Sequence, residues 1–382
     1  MIHYFTTWGE NNLGRKLSYS PAGLNKAKYV VGKLSTIDFV RVASFASGGL
    51  SYNGVYLPKT DNSEKYAIRY CATFGSRFLL FRMIERYLNL LQMFIYILFS
   101  TKRDDILFFY NERYFIAPIK VAHKYLRRKV VIEVEDINTI AANYKQKYVQ
   151  KEIDGQKHAD AYVLVNSVLP EYLPFVTAKP HCFIYGAYNP LTPSNEKYSD
   201  GKIHILYSGT FNKTKGGAVA AIQMAPLLSD NYVLHITGFG SEKEVEEIQQ
   251  SLDLLDKVSR ARVEYRGFIS LSELDILMQR CHVGLCTQDP TTQLNQTSFP
   301  SKILNYMSHG LVVLSGRNKV IEMSAVGDLV YYYDKQTPAD MTMAVMSIRN
   351  YDGVRCMERI HELNQQVSKD LSSIINTISN KL

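Results

Sequence analysis

Cysteine is scarce in this 382-residue chain, long apolar runs are missing, and no signal-peptide pattern is evident. The five cysteines are an odd number without a C-x-x-C pair, which argues against a disulfide framework or a zinc site and indicates a reducing compartment. Cys281 and Cys286 flank His282 on an apolar segment, where core packing explains them better than metal binding. No histidine has metal-site spacing, so no metal is expected. The N-terminus, MIHYFTTWGE, lacks the basic and apolar regions of a signal peptide, so a cytoplasmic location is expected.

The longest apolar run is LNLLQMFIYILF, at residues 88–99. A bilayer span needs roughly 20 residues, so this run is too short to cross a membrane. Arg82, Glu85 and Arg86 precede it, and Lys102 and Arg103 follow it. The favoured interpretation is a buried helix that covers a sheet, and the alternative is a helix that lies at a membrane surface.

The composition is that of a globular protein, with 46% hydrophobic and 21% charged residues. The net charge of +8 is uneven, because residues 1–190 hold 25 Lys and Arg against 15 Asp and Glu, and the remainder holds 19 against 21. A basic first half suits an anionic membrane or nucleic acid, although a solvated surface has the same composition. Nucleic acid is disfavoured, because the aromatic residues are not interleaved with basic ones as base stacking requires.

Apolar segments of strand length alternate with amphipathic segments of helix length along almost the whole chain. The predicted strands are residues 2–5, 39–44, 106–110, 130–134, 161–165, 182–184, 203–207, 232–236, 263–265, 283–286, 311–314 and 329–332. The predicted helices include residues 77–99, 117–126, 217–228, 241–254 and 271–279. This alternation predicts an α/β protein with doubly wound parallel sheets.

The number of strands exceeds one comfortable sheet, and the Pro-, Asn- and Ser-rich stretch at 189–200 is typical of a linker. We therefore predict two Rossmann-like domains, 1–188 and 189–353, that face a central cleft at the carboxyl ends of their strands. The last helix, within 354–382, is expected to dock back on the first domain.

Two turns have the composition of phosphate-binding loops. TSFPSKILNYMSHG, at 297–310, predicts a loop and a short helix that carries Lys302, and the following LVVLSG predicts a buried strand. A lysine at a helix N-terminus suits phosphate, although an ordinary crossover has the same pattern. SGTFNKTKGG, at 208–217, joins a strand to a helix with glycines and lysines at the turn, but it matches neither the P-loop nor the dinucleotide fingerprint.

Two further turns follow strands in the same half. Gly238-Phe239-Gly240 suits either a nucleotide contact or a tight turn before a helix. Phe268 follows Gly267 at the end of another strand, where it either flanks a base or packs in the core. Core packing is the more expected of the two.

In their order along the chain, these four segments resemble the donor-binding domain of the group-1 glycosyltransferases, the large retaining family with the GT-B fold. The first half is similar to the acceptor domain at SPAGLNKAKYVVGKL, HADAYVLVNSVLPEYL and IYGAYNP. The resemblance implies a nucleoside-diphosphate sugar as donor, retention of configuration, and no required metal or other cofactor. The residues that it assigns to the donor are Gly209, Thr210, Lys215, Gly238, Phe239, Gly240, Phe268, Thr297, Ser298, Phe299, Lys302 and Asn305.

The chain departs from the family pattern at three positions. The arginine that the family places before its Lys-Gly pair corresponds to Thr210, so Lys215 alone carries over. The two acidic residues of the family's loop–helix correspond to Thr297 and Asn305. The amide oxygen of Asn305 accepts a hydrogen bond from a ribose hydroxyl without charge. We predict that Lys302 supplies the missing positive charge to the leaving diphosphate.

Acidic residues lie at the end of the strand predicted at 130–134. Glu133 and Glu135 fall on one face of it, and Asp136 falls in the loop. The resembling family often has a histidine–acid pair here, so Glu135 or Asp136 is predicted to position or deprotonate the acceptor. The alternative is that Asp136 or Asn138 caps the next helix. The predicted catalytic residues are Glu135, Asp136, Lys215 and Lys302.

The resemblance implies a bacterial glycosyltransferase that moves a hexose, from a UDP-sugar by preference, to a hydroxyl of a glycan or lipid-linked saccharide. The expected process is the synthesis of cell-surface polysaccharide, such as capsule or exopolysaccharide. The basic first half predicts a peripheral contact with the inner face of the plasma membrane. Two other functions stay open. One is a catalytically silent GT-B partner, which the loss of both acidic positions favours, and the other is a sugar-nucleotide epimerase, for which the second half offers few acid–base residues beyond Asp289.

Overall fold

The computed structural model describes residues 1–9, 17–49, 54–110, 112–192, 196–212, 217–255, 260–289 and 291–380. The chain divides into two compact units, one formed by Met1–Ala187 with Gln366–Leu382 and the other by Tyr188–Gln365. These bounds differ from the predicted ranges by one residue at the first boundary. They also divide the last helix, which begins in the second unit and ends in the first.

The first unit is built on an eight-stranded sheet. Its elements are β1 (Ile2–Thr6), α1 (Pro21–Leu34), β2 (Val40–Ser44), β3 (Gly54–Tyr56), β4 (Lys59–Asn62), β5 (Tyr66–Tyr70), β6 (Thr73–Gly75), α2 (Leu79–Ser100), β7 (Ile106–Tyr110), α3 (Ile116–Lys120), β8 (Lys129–Val134), α4 (Asn138–Ala141), α5 (Gln146–Gln156), β9 (Ala161–Leu164), α6 (Leu169–Tyr172) and β10 (His181–Phe183). Among the described residues the strand order is β10-β9-β8-β7-β1-β2-β5-β4, with β4 antiparallel to β5 and the other pairs parallel. Strands β3 and β6 form a separate antiparallel pair.

The second unit is built on a six-stranded parallel sheet. Its elements are β11 (Ile203–Thr210), α7 (Gly217–Met224), β12 (Tyr232–Phe239), α8 (Glu242–Leu255), β13 (Arg262–Gly267), α9 (Leu271–Arg280), β14 (Val283–Cys286), α10 (Lys302–Ser308), β15 (Val312–Gly316), α11 (Lys319–Glu322), β16 (Val330–Tyr333), α12 (Pro338–Met346) and the first part of α13 (Val354–Ser379). In the part of the chain that is described, the strand order is β13-β12-β11-β14-β15-β16.

Both sheets confirm the predicted α/β class, and each predicted strand is present with its ends shifted by three residues or fewer. Every residue of β1 and of β15 is buried, because a strand covered on both faces has no solvent side. Strands β3–β6 were not predicted. In β4, for example, the sequence KTDN is exposed at every position, so no apolar run marks it.

Cys281 precedes β14 and Cys286 ends it. Both thiols are fully buried and free. Burial raises the pKa of the Cys281 thiol to about 12, which keeps it neutral. The predicted core packing of this pair is confirmed.

Helix α2 differs from its prediction, because it buries polar residues and exposes apolar ones. Met93 and Tyr96 face inward, and Tyr96 packs edge-on against Phe5 of β1 with 5.5 Å between ring centres. Glu85 and Asn89 are buried on the same face. The prediction of a helix that covers the sheet is confirmed, but the prediction that its apolar residues are buried is wrong for its outer face. No helix in the described ranges is long and apolar enough to cross a membrane.

Candidate active site

Lys302, the first residue of α10, lies beside the carboxyl end of β11. Its side-chain nitrogen is 4.5 Å from the centre of the Tyr207 ring, and a Cβ atom placed on Gly209 would be 2.9 Å from that nitrogen. Because the strands run parallel, the loops that follow β11, β12, β13 and β14 share this edge of the sheet. Open α/β sheets bind their ligands at this edge.

Two glycines allow the ends of β11 and β12 to approach each other and Lys302. Gly209 and Gly238 are paired in register, and their φ angles are +149° and +154°. Residues with a side chain rarely adopt such angles. A Cβ on Gly238 would overlap the Gly209 carbonyl oxygen. Glycine at both positions therefore keeps the space around the lysine open.

Tyr306 fixes α10 to the end of β11. Its buried hydroxyl accepts a hydrogen bond from the Ser208 amide at 2.9 Å, and it donates to the Leu285 carbonyl at 3.4 Å. The ring packs so closely on Gly284 that a Cβ there would overlap it. Since Tyr306 lies one helical turn after Lys302, this anchor sets where the lysine side chain begins.

The Lys302 ammonium is a partly buried cation that has no counter-charge among the residues that the structure describes. Within the described ranges, which omit 213–216, it has a cation–π contact with Tyr207 but neither a hydrogen bond nor an ion pair. Burial lowers the pKa of Lys302 below its ordinary value. A cation in this state is suited to bind an anion. Helix α10 has only seven residues, so the predicted phosphate site depends on the lysine side chain more than on the helix dipole.

The turns after β12 and β13 present aromatic side chains at the same edge. Phe239 ends β12 next to Gly240 and is 53% exposed. Phe268 directly follows β13 and is 79% exposed. The expected core packing of Phe268 is wrong, because it lies beyond the last residue of the sheet's edge strand. Both rings are available to a planar ligand.

The loop before α10 differs in exposure from one residue to the next. The side chains of Thr297 and Phe299 are buried, and Ser298 is partly buried. Asn305 is exposed, and its side-chain nitrogen lies 3.6 Å from the sulfur of Met278. At the end of β11, the Thr210 hydroxyl accepts a hydrogen bond from the Asn212 amide at 3.3 Å. Of the residues assigned to the donor, Lys215 lies outside the described residues.

The first unit contains a cavity of about 850 Å³. It opens at the carboxyl ends of β1, β7 and β8, and its wall combines carboxylates, arginines and tyrosines. Glu135 and Asp136, the acids that the sequence singled out, both line it. Other lining side chains are Arg86, Tyr110, Arg113, Tyr114 and Tyr144. Such a set of donors and acceptors suits a polyhydroxylated ligand.

Lys26 of α1 pairs with Glu133 of β8 and with Glu135, which follows the strand. Its nitrogen is 3.6 Å from a carboxylate oxygen of Glu133 and 2.5 Å from one of Glu135, which confirms that the two share a face of the strand. Glu133 is fully buried and accepts a hydrogen bond from the Tyr4 hydroxyl at 2.6 Å. Burial raises the pKa of Glu133 although Lys26 opposes the shift. Because Glu135 is held in an ion pair, the geometry favours a positioning role for it over proton transfer.

Glu112 lines the same cavity and was missed from the sequence. Burial and the charge of Asp136 raise its pKa to about 7, although a hydrogen bond with the Thr7 side chain acts to lower it. A carboxyl group that titrates near neutral pH is a candidate for proton exchange. The signal was present, because Glu112 follows its buried strand by two residues, as Asp136 does.

The capping alternative for Asp136 and Asn138 is wrong. Helix α4 begins at Asn138, and Ile137 occupies the capping position without a side-chain bond. The first helical amides donate instead to Glu152 of α5, at 3.0 Å from Asn138 and 2.9 Å from Thr139. Asp136 is therefore not needed to begin this helix.

Residues 202–349, which form most of the second unit, match the family model of the group 1 glycosyl transferases. The chain carries a group 1 glycosyltransferase domain. All the residues assigned to the donor, from Gly209 to Asn305, lie within this glycosyltransferase domain. Among curated proteins, none matches the sequence significantly.

Solved structures resemble the whole chain. A trehalose-6-phosphate structure from Escherichia coli bound with UDP-2-fluoro glucose has a TM-score of 0.66 at 9% identity, over 100% of both chains. A trehalose-6-phosphate synthase studied for glycosyltransfer with retention has a TM-score of 0.63 at 9% identity, over 100% of this chain and 99% of that one. HepE of Anabaena, in complex with UDP and glucose, has a TM-score of 0.58 at 12% identity, over 98% and 100%. At these identities the likeness shows the fold, and the predicted GT-B fold is confirmed.

Proposed function

We propose that this protein is a retaining glycosyltransferase that moves a hexose from a nucleoside-diphosphate sugar, preferably a UDP-sugar, to a hydroxyl of a glycan or lipid-linked saccharide. The observation that carries the proposal is the Lys302 ammonium, held beside Gly209 at the carboxyl edge of the sheet without a counter-charge among the described residues. The group 1 family match over this region supports it, as does the presence of UDP or a UDP-sugar in similar structures.

On the donor side, the departing diphosphate gains negative charge as the bond to the sugar breaks. Lys302 and the backbone amides of Gly209 and Phe299 would stabilise that charge, and each charge-assisted hydrogen bond contributes about 1.5–3 kcal/mol. We assign Lys215 to the same role. Asn305 would bind the ribose, and the exposed Phe268 would contact the base.

On the acceptor side, we assign the cavity of the first unit to the incoming saccharide. Retention by attack on the face that the diphosphate leaves allows the leaving phosphate to take the acceptor proton, so no enzyme nucleophile is required. Glu135 and Asp136 would then orient acceptor hydroxyls, with Glu112 beside them as an acid that exchanges protons near neutral pH. The acceptor would be part of a growing cell-surface polysaccharide, reached at the inner face of the plasma membrane.

The direct test is a thermal-shift screen against UDP-, GDP- and dTDP-sugars, followed by an assay for released nucleotide. A ligand at 100 times its Kd that binds only the folded state stabilises it by about 2.7 kcal/mol. We expect a UDP-sugar to raise the melting temperature and to release UDP slowly even without acceptor. Binding without any release would favour the silent GT-B partner, and no binding of any sugar nucleotide would refute the proposal.

A further inference from the structure

The outer side of α2 is a continuous apolar surface. Its central stripe recurs at intervals of three or four residues, which places it on one side of the helix. The stripe consists of Leu80, Ile84, Tyr87, Leu91, Ile95 and Leu98, which are 47–68% exposed. Phe78, Leu79, Phe81, Met83 and Phe99 extend it at both ends, and Phe99 is 82% exposed. We call these residues the α2 outer face.

Hydrogen bonds from the inner side fix this orientation. The Glu85 carboxylate accepts a hydrogen bond from the Gly48 amide at 2.9 Å and another from the Thr73 hydroxyl. The Asn89 amide donates to the Phe45 carbonyl at 3.3 Å. Because the Glu85 carboxylate and the Asn89 side-chain nitrogen are buried and paired, the helix cannot turn its apolar residues inward without breaking these bonds. A surface helix of a protein in water usually has the opposite arrangement, with polar residues outside and apolar residues inside.

The charges next to the α2 outer face in the sequence are mainly positive, and the exposed Asp104 beyond Arg103 is an acidic exception. Arg77 and Arg82 lie at its first end, and Lys102 and Arg103 lie just beyond its last. In the sequence from 77 to 103 the single acidic residue is Glu85, which is buried. This surface complements anionic lipid headgroups. It is less suited to a second copy of itself, because the same cations would face each other.

We propose that the α2 outer face binds the surface of an anionic lipid bilayer, with the helix lying in the plane of the headgroups. The helix has 22 residues, and at 1.5 Å per residue it is roughly 33 Å long. Its inner face packs on the protein sheet, so lipid can cover one side of it. Apolar residues on one side and cations at its ends are the features by which such helices bind membranes.

The position of α2 connects this surface to the acceptor cavity. Arg86 and Asn89 of the same helix line the cavity. A bilayer on the outer face therefore lies about one helix diameter, roughly 10–12 Å, from that wall of the cavity. This step rests on the proposed function. It identifies the acceptor as the saccharide headgroup of a lipid.

The test compares vesicle binding by the wild-type protein and by the triple variant Tyr87→Ser, Leu91→Ser, Ile95→Ser. The vesicles contain phosphatidylcholine alone or with about 30% phosphatidylglycerol, at low salt. A matched control replaces three exposed residues of the second unit, Leu254, Leu271 and Ile276, with serine. We expect at least tenfold weaker binding to the anionic vesicles for the α2 variant and unchanged binding for the control. Thermal unfolding of both variants should match the wild type, because all six side chains are exposed.

A fluorescence measurement reports depth and is independent of sedimentation. The chain has a single tryptophan, Trp8, which is 1% exposed. In a Tyr87→Trp variant the introduced indole is the one that can meet lipid. We expect its emission to shift to shorter wavelength with anionic vesicles and to be quenched by brominated lipid chains, while the Trp8 contribution stays constant.

Three results would overturn the inference: no binding to anionic vesicles at low salt, equal binding by the α2 variant, or a soluble dimer that the α2 variant dissociates. The last result would identify a second copy as the occupant. Binding of the sugar nucleotide is measured without vesicles, so each idea fails separately. If the protein binds UDP-sugar but not vesicles, the inference about the α2 outer face is refuted. If it binds vesicles but no sugar nucleotide, the proposed function is refuted.

Discussion

Replacement of Lys302 by methionine tests the donor site, because it removes the charge and keeps most of the side-chain stem. The structure shows no ion pair or hydrogen bond for this ammonium among the described residues, and burial already lowers its pKa. Below that pKa the ammonium is charged, and its burial then lowers the free energy of unfolding. We expect the melting temperature of Lys302→Met to equal or exceed that of the wild type at neutral pH.

The catalytic effect should be opposite in sign. One charge-assisted hydrogen bond contributes about 1.5–3 kcal/mol, and each 1.4 kcal/mol or so corresponds to a tenfold change in rate. Loss of a donor that acts chiefly on the transition state costs about a hundredfold or more. We therefore expect kcat for UDP release from a UDP-sugar to fall about a hundredfold, measured by chromatography on protein of verified melting temperature.

Lys197 provides a matched control at the opposite edge of the same sheet. It is a partly buried lysine that donates to the carbonyl oxygens of Cys281, at 2.5 Å, and Gly310, at 2.9 Å, just before β14 and β15 begin. Lys197→Met should lower the melting temperature, because two buried carbonyls lose their charged donor, and leave kcat of the folded protein unchanged. Near-normal kcat in Lys302→Met, or a loss of stability like that of Lys197→Met, would refute the assigned role.

Three further predictions concern packing and proton binding. Gly209→Ala places a Cβ 2.9 Å from the Lys302 nitrogen at a φ of +149°, so UDP affinity should fall about tenfold in titration calorimetry, and unchanged affinity would contradict it. Tyr306→Phe leaves the partly buried Ser208 amide without its hydroxyl partner and should lower the free energy of unfolding in urea by about 1–3 kcal/mol; an unshifted midpoint would argue against this anchor. In the folded protein the pKa of Glu112 is about 7, against an ordinary value of 4.5. The free energy of unfolding therefore falls as the pH rises from 4.5 to 7, because the folded state holds the proton more tightly than the unfolded state does. Glu112→Gln should therefore raise the melting temperature relative to wild type at pH values above 7 and not below 4.5, and equal shifts at both would exclude this explanation.

Sequence patterns located the site's elements well where a single rule applied. Buried parallel strands are apolar along their length, so β11, β12, β14 and β15 were all predicted. Glu135 and Asp136 were identified because acidic residues just after a buried strand, here β8, lie at the carboxyl edge of its sheet. Lys302 was identified separately, from the loop and short helix that follow β14 in the second sheet. Glu112 also follows a buried strand, but the sequence does not show which charged groups lie near it in the folded protein. Its raised pKa comes from burial and from Asp136, and both depend on the folded chain.

By itself, the sequence determined the α/β class, the buried strands and the region of the glycosyltransferase domain, because these depend on local periodicity and on short motifs. Tertiary structure alone decided which side of α2 faces water, since Glu85 and Asn89 find their partners on distant segments at Phe45 and Gly48. It also decided that Lys302 packs over Gly209, about 90 residues away in the chain, because the parallel arrangement of β11 and β14 brings both to one edge. Contacts between residues far apart in sequence leave no periodic signal, and these contacts determine the charge, the exposure and the chemistry of the site.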